Sequence, residues 1–407
     1  MHNRKEFVKV LVAAFVSQSG SHFLTIALAG YTLFISNSIV KASLIFVMSY
    51  LPSVFVSARL GYWIDQNLSR WLLVRNDAIS MLISLLCGAC IWYQLPWAAL
   101  GALVSIRSLL LVISKSANSR WVKLITPPPL QSLRIKLVFL SFFLSTAVAG
   151  ILAGQALAHF TILWAVFFDV VTYLVSMGIV LTLRPLEVDP EPSLSAGSPS
   201  IFQSLEEILS SSTISQYFLS VCLSQAIFQG AYSVLISYFP IKRFQIGIGG
   251  LGPFQLSASL GIIAGFLIIW LLPNLLTGGE SRWPSRLVAA IGVGAASLIV
   301  SASATGYFTV LALFFVLHFA YECIWLSSSA EFFHLSPESV VGRYQFTLTS
   351  VASCLMAATT LAYAVTIEMF GLALGVGVVL FVGLLLWAAI LTLRIKQVQL
   401  SVKGEKL

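Results

Sequence analysis

Residues 371–394 read GLALGVGVVLFVGLLLWAAILTLR, with no charged side chain before Arg394. A helix rises 1.5 Å per residue, so this stretch is about 35 Å long, enough to cross a hydrocarbon layer of about 30 Å. Lipid offers the backbone no hydrogen-bond partners. A helix satisfies every N–H and C=O within the segment itself. The stretch is therefore read as a membrane helix. Runs of the same kind recur at 7–36, 41–60, 71–93, 96–116, 133–157, 161–183, 214–239, 250–273, 286–305, 307–328 and 343–366. With 371–394 they make twelve expected crossings in an all-α, polytopic membrane protein.

Composition excludes the soluble alternative. Of 407 residues, 58% are hydrophobic and 9% charged, and the mean hydropathy is +0.94. A soluble domain carries about 25% charged residues to face water. The natural solvent of this chain is the lipid bilayer. The run at 7–36 is too long for the apolar core of a cleaved signal peptide and is read as the first helix. The five cysteines, Cys87, Cys90, Cys222, Cys323 and Cys354, all lie in apolar runs. Cys87 and Cys90 form a CxxC only formally, since no other ligand type is near, and small residues for helix packing are the better account.

The net charge of +8 is read as an orientation signal rather than as a nucleic-acid footprint, because Lys and Arg accumulate on cytoplasmic loops. If the N-terminus is inside, the same side holds 19 of the 23 basic residues, among them Lys115, Arg120 and Lys123. The opposite side holds Lys41, Lys242 and Arg243, and Arg107 is left within a helix. An even number of crossings with both termini cytoplasmic follows. The expected location is a bacterial inner membrane.

The stretch 184–212, RPLEVDPEPSLSAGSPSIFQSLEEILSSS, is rich in Pro, Ser and acid and cannot cross lipid. It divides the chain into 1–183 and 213–407, six apolar runs each. Residues 201–209 are read as a short amphipathic helix within an otherwise flexible cytoplasmic linker. The halves echo one another. Ser119–Pro128 follows the fourth run, and Glu331–Glu338 with Gly342 and Arg343 follows the tenth. Each is a polar, Pro-containing segment ahead of a basic residue and the next helix. Parallel six-helix repeats are one known transporter plan.

The loop after the second run, Gly61-Tyr62-Trp63-Ile64-Asp65-Gln66-Asn67-Leu68-Ser69-Arg70, resembles the signature loop of the major facilitator superfamily, Gly-x-x-x-Asp-Arg/Lys-x-Gly-Arg-Arg/Lys. Gly61, Asp65 and Arg70 fit; Gln66 and Leu68 depart from it. Within that superfamily the chain looks most like the bacterial branch of enterobactin exporters and macrolide efflux proteins. The residues that carry this likeness are Ile106-Arg107-Ser108 in the fourth run, the segment Thr126–Leu130, and Ser336-Pro337-Glu338 with Gly342-Arg343. The resemblance implies two six-helix bundles around a midplane cavity lined by helices one, four, seven and ten. It also implies proton-driven export of a small molecule, such as a siderophore or an amphipathic drug, with no cofactor. Multidrug efflux, lysophospholipid transport and a non-transporting scaffold remain open readings. The Gly-Pro signature of many antiporters is missing from 145–154, which keeps small residues without the proline.

Candidate site residues follow from the cost of an ionisable group at bilayer depth, at least a few kcal/mol unless it faces a cavity or a partner. Arg107 is the clearest, with a structural pair to Asp77 or Asp169 as the competing account. Gln18 and His22 on helix one, Gln225, Gln229 and Ser233 on helix seven, and His318, Glu322 and Trp325 on helix ten each recur at helical spacing along one face. For any single Gln or Ser, interhelical packing is the commoner explanation. Glu322 is the best proton carrier. Gly61, Asp65, Arg70, Asp77, Asp169 and Arg343 form the expected conformational switch, with Asp77 favoured as a structural network member. A Walker loop and an HExxH motif are both missing, so no enzyme, metal centre or nucleic-acid partner is expected. The Gly247–Gly252 run lacks a preceding strand and is read as an outer loop.

Overall fold

The computed structural model describes residues 2–127, thirteen positions within 130–152, and 161–185, 201–271, 283–336 and 341–404. Of 2, 3, 53–63, 65, 66, 212, 270, 283–285, 333, 334, 341–343 and 390–404 it describes the backbone alone. All regular structure among the described residues is helical. The helices are α1 (His2–Ser36), α2 (Ile39–Asn67), α3 (Arg70–Trp92), α4 (Trp97–Leu124), α5 (Leu163–Leu181), α6 (Ile201–Ser210), α7 (Ser212–Ser224), α8 (Gly230–Tyr238), α9 (Leu251–Leu271), α10 (Trp283–Ser303), α11 (Tyr307–Leu335), α12 (Val341–Phe370) and α13 (Leu372–Gly404). Ten stretches among the described residues are long and apolar enough to cross a membrane. The two other expected crossings, 41–60 and 133–157, run through residues that lie partly outside the description.

Helix boundaries follow local chemistry. Ser38, Ser69 and Ser211 cap α2, α3 and α7, each side chain accepting a backbone N–H from the first turn, the usual way an orphan donor is satisfied. Asn37 turns the chain between α1 and α2 at φ 53°, and Gly371 turns it between α12 and α13 at φ +82°. Asn and Gly tolerate that left-handed geometry. The expected seventh crossing is not one regular helix. π-helical turns cover Gln225–Gln229 and Phe239–Arg243, on either side of α8. The amphipathic segment at 201–209 forms α6, which buries Ser204 and Ile208 and leaves Phe202 exposed.

The chain folds into two compact units, Met1–Ser195 with Leu235–Ile263, and Ala196–Val234 with Ala264–Leu407. In the first, α1 packs on α2, α4 and α5, and α3 on α4 and α5. One end of this unit is held by a core of Phe7, Val10, Leu72, Trp121 and Val180. At the other end Lys242 donates to the carbonyl and side-chain oxygens of Asn37, so Lys242 and the α1–α2 turn share an end, as the charge distribution required. In the second unit α11 packs on α7 and α10, and α12 on α13 and α7.

Many helix surfaces stay apolar and exposed. Leu82, Leu85 and Leu86 on α3, and Leu374, Phe381 and Leu385 on α13, are each 43–67% exposed. Polar side chains meanwhile concentrate inside: Gln18, Asn76, Asp77, Arg107, Asp169, His318 and Glu322 are all buried. This inversion of the soluble pattern is what lipid as solvent selects.

Candidate functional site

The polar centre of the first unit is built on three helices. On α3, Asp77, Ser80 and Ser84 recur at helical spacing, and on α5 so do Asp169, Thr172, Tyr173 and Ser176. All seven are buried. The two seams meet through hydroxyl–carboxylate bonds. Ser84 Oγ donates to Asp169 Oδ2 at 2.6 Å, and Ser176 Oγ donates to Asp77 Oδ2 at 2.7 Å. Arg107 enters from α4, with Nη2 2.9 Å from Asp169 Oδ2. Its N–H bonds are not aimed along that line, so charge holds the pair rather than a linear hydrogen bond. Arg107 is 8% exposed and Asp169 fully buried. Of the two partners the sequence left open for Arg107, the fold selects Asp169.

α1 closes the centre from the third side. Ser21 Oγ and the Tyr173 hydroxyl lie 2.8 Å apart, and Tyr173 stands beside the Arg107 guanidinium. A methyl group on Gly20 would overlap Thr172 Oγ1 and stand 2.8 Å from Asp169 Oδ1 and 3.0 Å from Asp169 Cα. Gly20 is therefore the point where α1 approaches the acid on α5, a small-residue contact of the kind that lets membrane helices meet closely. Gly20→Ala is expected to push α5 away and destabilise the fold by about 1–3 kcal/mol, the usual cost of overpacking. A thermal unfolding midpoint in detergent equal to that of the wild type would contradict this.

Some polar atoms in this centre find no hydrogen-bond partner among the described residues: both amide atoms of Gln18, Arg107 Nη1 and Asp169 Oδ1. His22, one turn from Gln18, is half-buried and lies within electrostatic reach of Arg107 and Lys115. The sequence counted Lys115 on the cytoplasmic side, at the end of the run 96–116. The structure carries α4 on to Leu124, which places Lys115 inside the helix.

Arg70 begins α3, where it reaches the Leu183 carbonyl at 3.4 Å and stacks on Trp71 with 5.6 Å from guanidinium to ring centroid. It thus ties α3 to the end of α5 through a carbonyl rather than an acid. Lys9 helps by donating to Thr182 O at 2.8 Å and pairing with Glu6. The side chains of Gly61, Asp65 and Arg343 lie outside the described residues.

Among the described residues the second unit holds one fully buried acid. Glu322 on α11 has neither carboxylate oxygen hydrogen-bonded among the described residues. A methyl group on Gly265 would stand 2.8 Å from Glu322 Cβ and 3.1 Å from Phe319 O, so α9 meets α11 at this side chain. One turn earlier His318 bonds Phe314 O at 2.8 Å and packs edge-on against Tyr232 at 4.8 Å. Trp325 is half-buried. Gln225 and Gln229 are half-buried at the two ends of the first π turn, so the step between them is not the regular α-helical one assumed from spacing. Gln225 Nε2 approaches Met356 Sδ at 3.8 Å, and Ser233 donates to Gln229 O at 2.9 Å. The π turn packs on α12, where Thr359 donates to Ala226 O at 2.6 Å. Gly230 leaves the room for that contact, since a methyl there would overlap Thr359 Oγ1. π turns inside helices recur at functional positions.

The residues that spacing missed are Gly20, Ser84, Thr172, Tyr173 and Ser176. Their signal was present as Ser and Thr recurring every three or four residues around Asp77 and Asp169. No spacing rule says which helix such a seam faces.

No family model matches this chain, and no curated protein sequence matches it. Solved structures do. A bacterial homologue of the human lysosomal transporter Spinster, inward-facing and occupied, matches with a TM-score of 0.72 at 10% identity, over 96% of this chain and 96% of that one. The nucleoside transporter NupG matches with a TM-score of 0.70 at 12% identity, over 95% and 98%. A POT family transporter in complex with a thioalcohol-conjugated peptide matches with a TM-score of 0.74 at 12% identity, over 96% and 96%. At these identities the likeness is one of fold. The chain is a multi-pass, all-helical protein with the fold of these transporters.

Proposed function

We propose that this chain is a secondary active transporter, most specifically a proton-driven exporter of a small molecule such as a siderophore, working by alternating access between two helical bundles. The observation that carries the reading is the fold, shared along nearly the whole length of both chains with proteins that move nucleosides or peptides. The buried ionisable groups support it. Arg107, Asp169 and Glu322 lie within apolar, membrane-length helices, where such groups cost several kcal/mol and persist for pathways and couplings. A scaffold has no use for them. In the proposed cycle Gln18, His22, Arg107, Gln225, Gln229, His318, Glu322 and Trp325 contact substrate or proton, and Asp65, Arg70, Asp77, Asp169 and Arg343 govern the conformational change.

Metabolite profiling of culture medium from a deletion strain tests the substrate. Loss of an iron chelator, restored by the wild-type gene and not by Arg107→Ala with Glu322→Gln, is the expected outcome. Wild-type activity of that double variant would overturn the mechanism. An unchanged medium with altered drug sensitivity would replace the siderophore by amphipathic drugs.

A further inference from the structure

We propose that Lys115 is an anion-binding cation inside the first unit, and that the transported molecule carries a carboxylate or phosphate group. The second half of this statement rests on the transport reading; the first does not.

Lys115 lies nine residues before the end of α4, about 14 Å along the axis, and about 12 Å beyond Arg107. It is half-buried, and its ammonium stands 5.5 Å from the centroid of the Phe142 ring. It reaches no acid among the described residues. The sequence explains why. Residues 7–64, 97–160 and 235–263 contain no Asp or Glu at all. Of the four acids on this unit's helices, Asp169 is engaged with Arg107 and Ser84, Asp77 with Ser176 and Glu6 with Lys9, and the side chain of Asp65 on α2 lies outside the described residues. No described acid therefore pairs with Lys115. A cation held away from bulk water needs a counter-charge.

Donors also stand on α1 and α4 of this unit. His22 lies within reach of both Lys115 and Arg107. Gln18, on the same face of α1 and 1% exposed, presents an amide that no described residue engages. Arg107 Nη1 is likewise unengaged. A lysine supplies a point charge, the other groups supply directed N–H bonds, and the aromatic ring limits water. That combination suits an oxyanion, through charge-assisted hydrogen bonds. Arg107, already committed to Asp169, orients rather than carries the charge recognition.

The test uses the full chain purified in detergent. Thermal unfolding is followed in citrate, benzoate or inorganic phosphate, against chloride at matched ionic strength and pH. At least one oxyanion is expected to raise the wild-type midpoint, because a ligand that binds only the folded state stabilises it by mass action. Lys115→Gln should weaken the apparent affinity about tenfold or more, and Lys115→Arg should keep most of it. In chloride, Lys115→Gln should unfold no earlier than the wild type, since it removes a charge with no acidic partner among the described residues. The proposal falls if none of the three anions stabilises the wild type, or if the gain is the same in Lys115→Gln. It falls too if Lys115→Gln alone lowers the midpoint in chloride by many degrees, which would reveal a structural counter-ion. Stabilisation through Lys115 without any flux in proteoliposomes would retire the transport reading and leave the site standing.

Discussion

Asp169→Asn is expected to cost the folded protein about 3–5 kcal/mol, the range for removing one partner of a buried ion pair. The change is nearly isosteric, and Ser84 can still hydrogen-bond the amide. What is lost is the negative charge opposite Arg107, whose guanidinium is only 8% exposed and has no other acid within ion-pair distance among the described residues. The stranded cation, not the missing contact, sets the size of the effect. A double variant, Arg107→Met with Asp169→Leu, removes both charges at similar volume. Buried ion pairs can be replaced by apolar side chains with little or no loss of stability. The double variant should therefore unfold close to the wild-type midpoint and transport nothing. Unfolding midpoints in detergent and flux in proteoliposomes read the two halves separately. Asp169→Asn with wild-type stability would show that Arg107 is compensated elsewhere. An active double variant would show that the pair is only structural.

Glu322→Gln should leave the fold intact and abolish proton-driven transport. The side chain is fully buried, with no hydrogen-bond donor to either oxygen among the described residues. An ionised carboxylate has no compensation there. It can shed its proton only where water or another group reaches it, which couples proton occupancy to the conformation of α11. Glutamine keeps the shape and removes the titration. The expected signature is a drop of about a hundredfold or more in flux driven by a pH gradient, with substrate exchange at equal pH retained. Loss of exchange as well would assign Glu322 to substrate contact or packing. Undiminished gradient-driven flux would remove it from the coupling. Gly265→Ala offers a contrast, since its methyl would press on Glu322 Cβ and Cγ. That change should lower stability and exchange together, unlike Glu322→Gln.

Much of this protein was legible in one dimension because lipid imposes rules that act locally. A segment must be apolar, long enough to cross, and helical, and each rule can be checked within some twenty residues. The spans, the loops between them, the break near Gly306, the helix at 201–210 and the shared end of Asn37 and Lys242 all follow from such local requirements. Arg107, Asp169 and Glu322 stood out for the same reason, because a charge inside an apolar run is conspicuous without any knowledge of its neighbours.

Tertiary structure alone decided who meets whom. Asp77 and Asp169 were equal partners for Arg107 on paper, since both sit on helices of the same half. The packing of α3 against both α4 and α5 gave one to Arg107 and the other to Ser176. Nothing local marks Gly20 out in the sequence; its role shows only where α1 touches Asp169. Lys115 read as a charge at the very end of the run 96–116 until α4 ran on to Leu124. The π turn at Gln225–Gln229 has no composition signal of its own. These are non-local facts: helical spacing fixes the face a residue shares with its own helix, and only the packed assembly fixes what that face looks at.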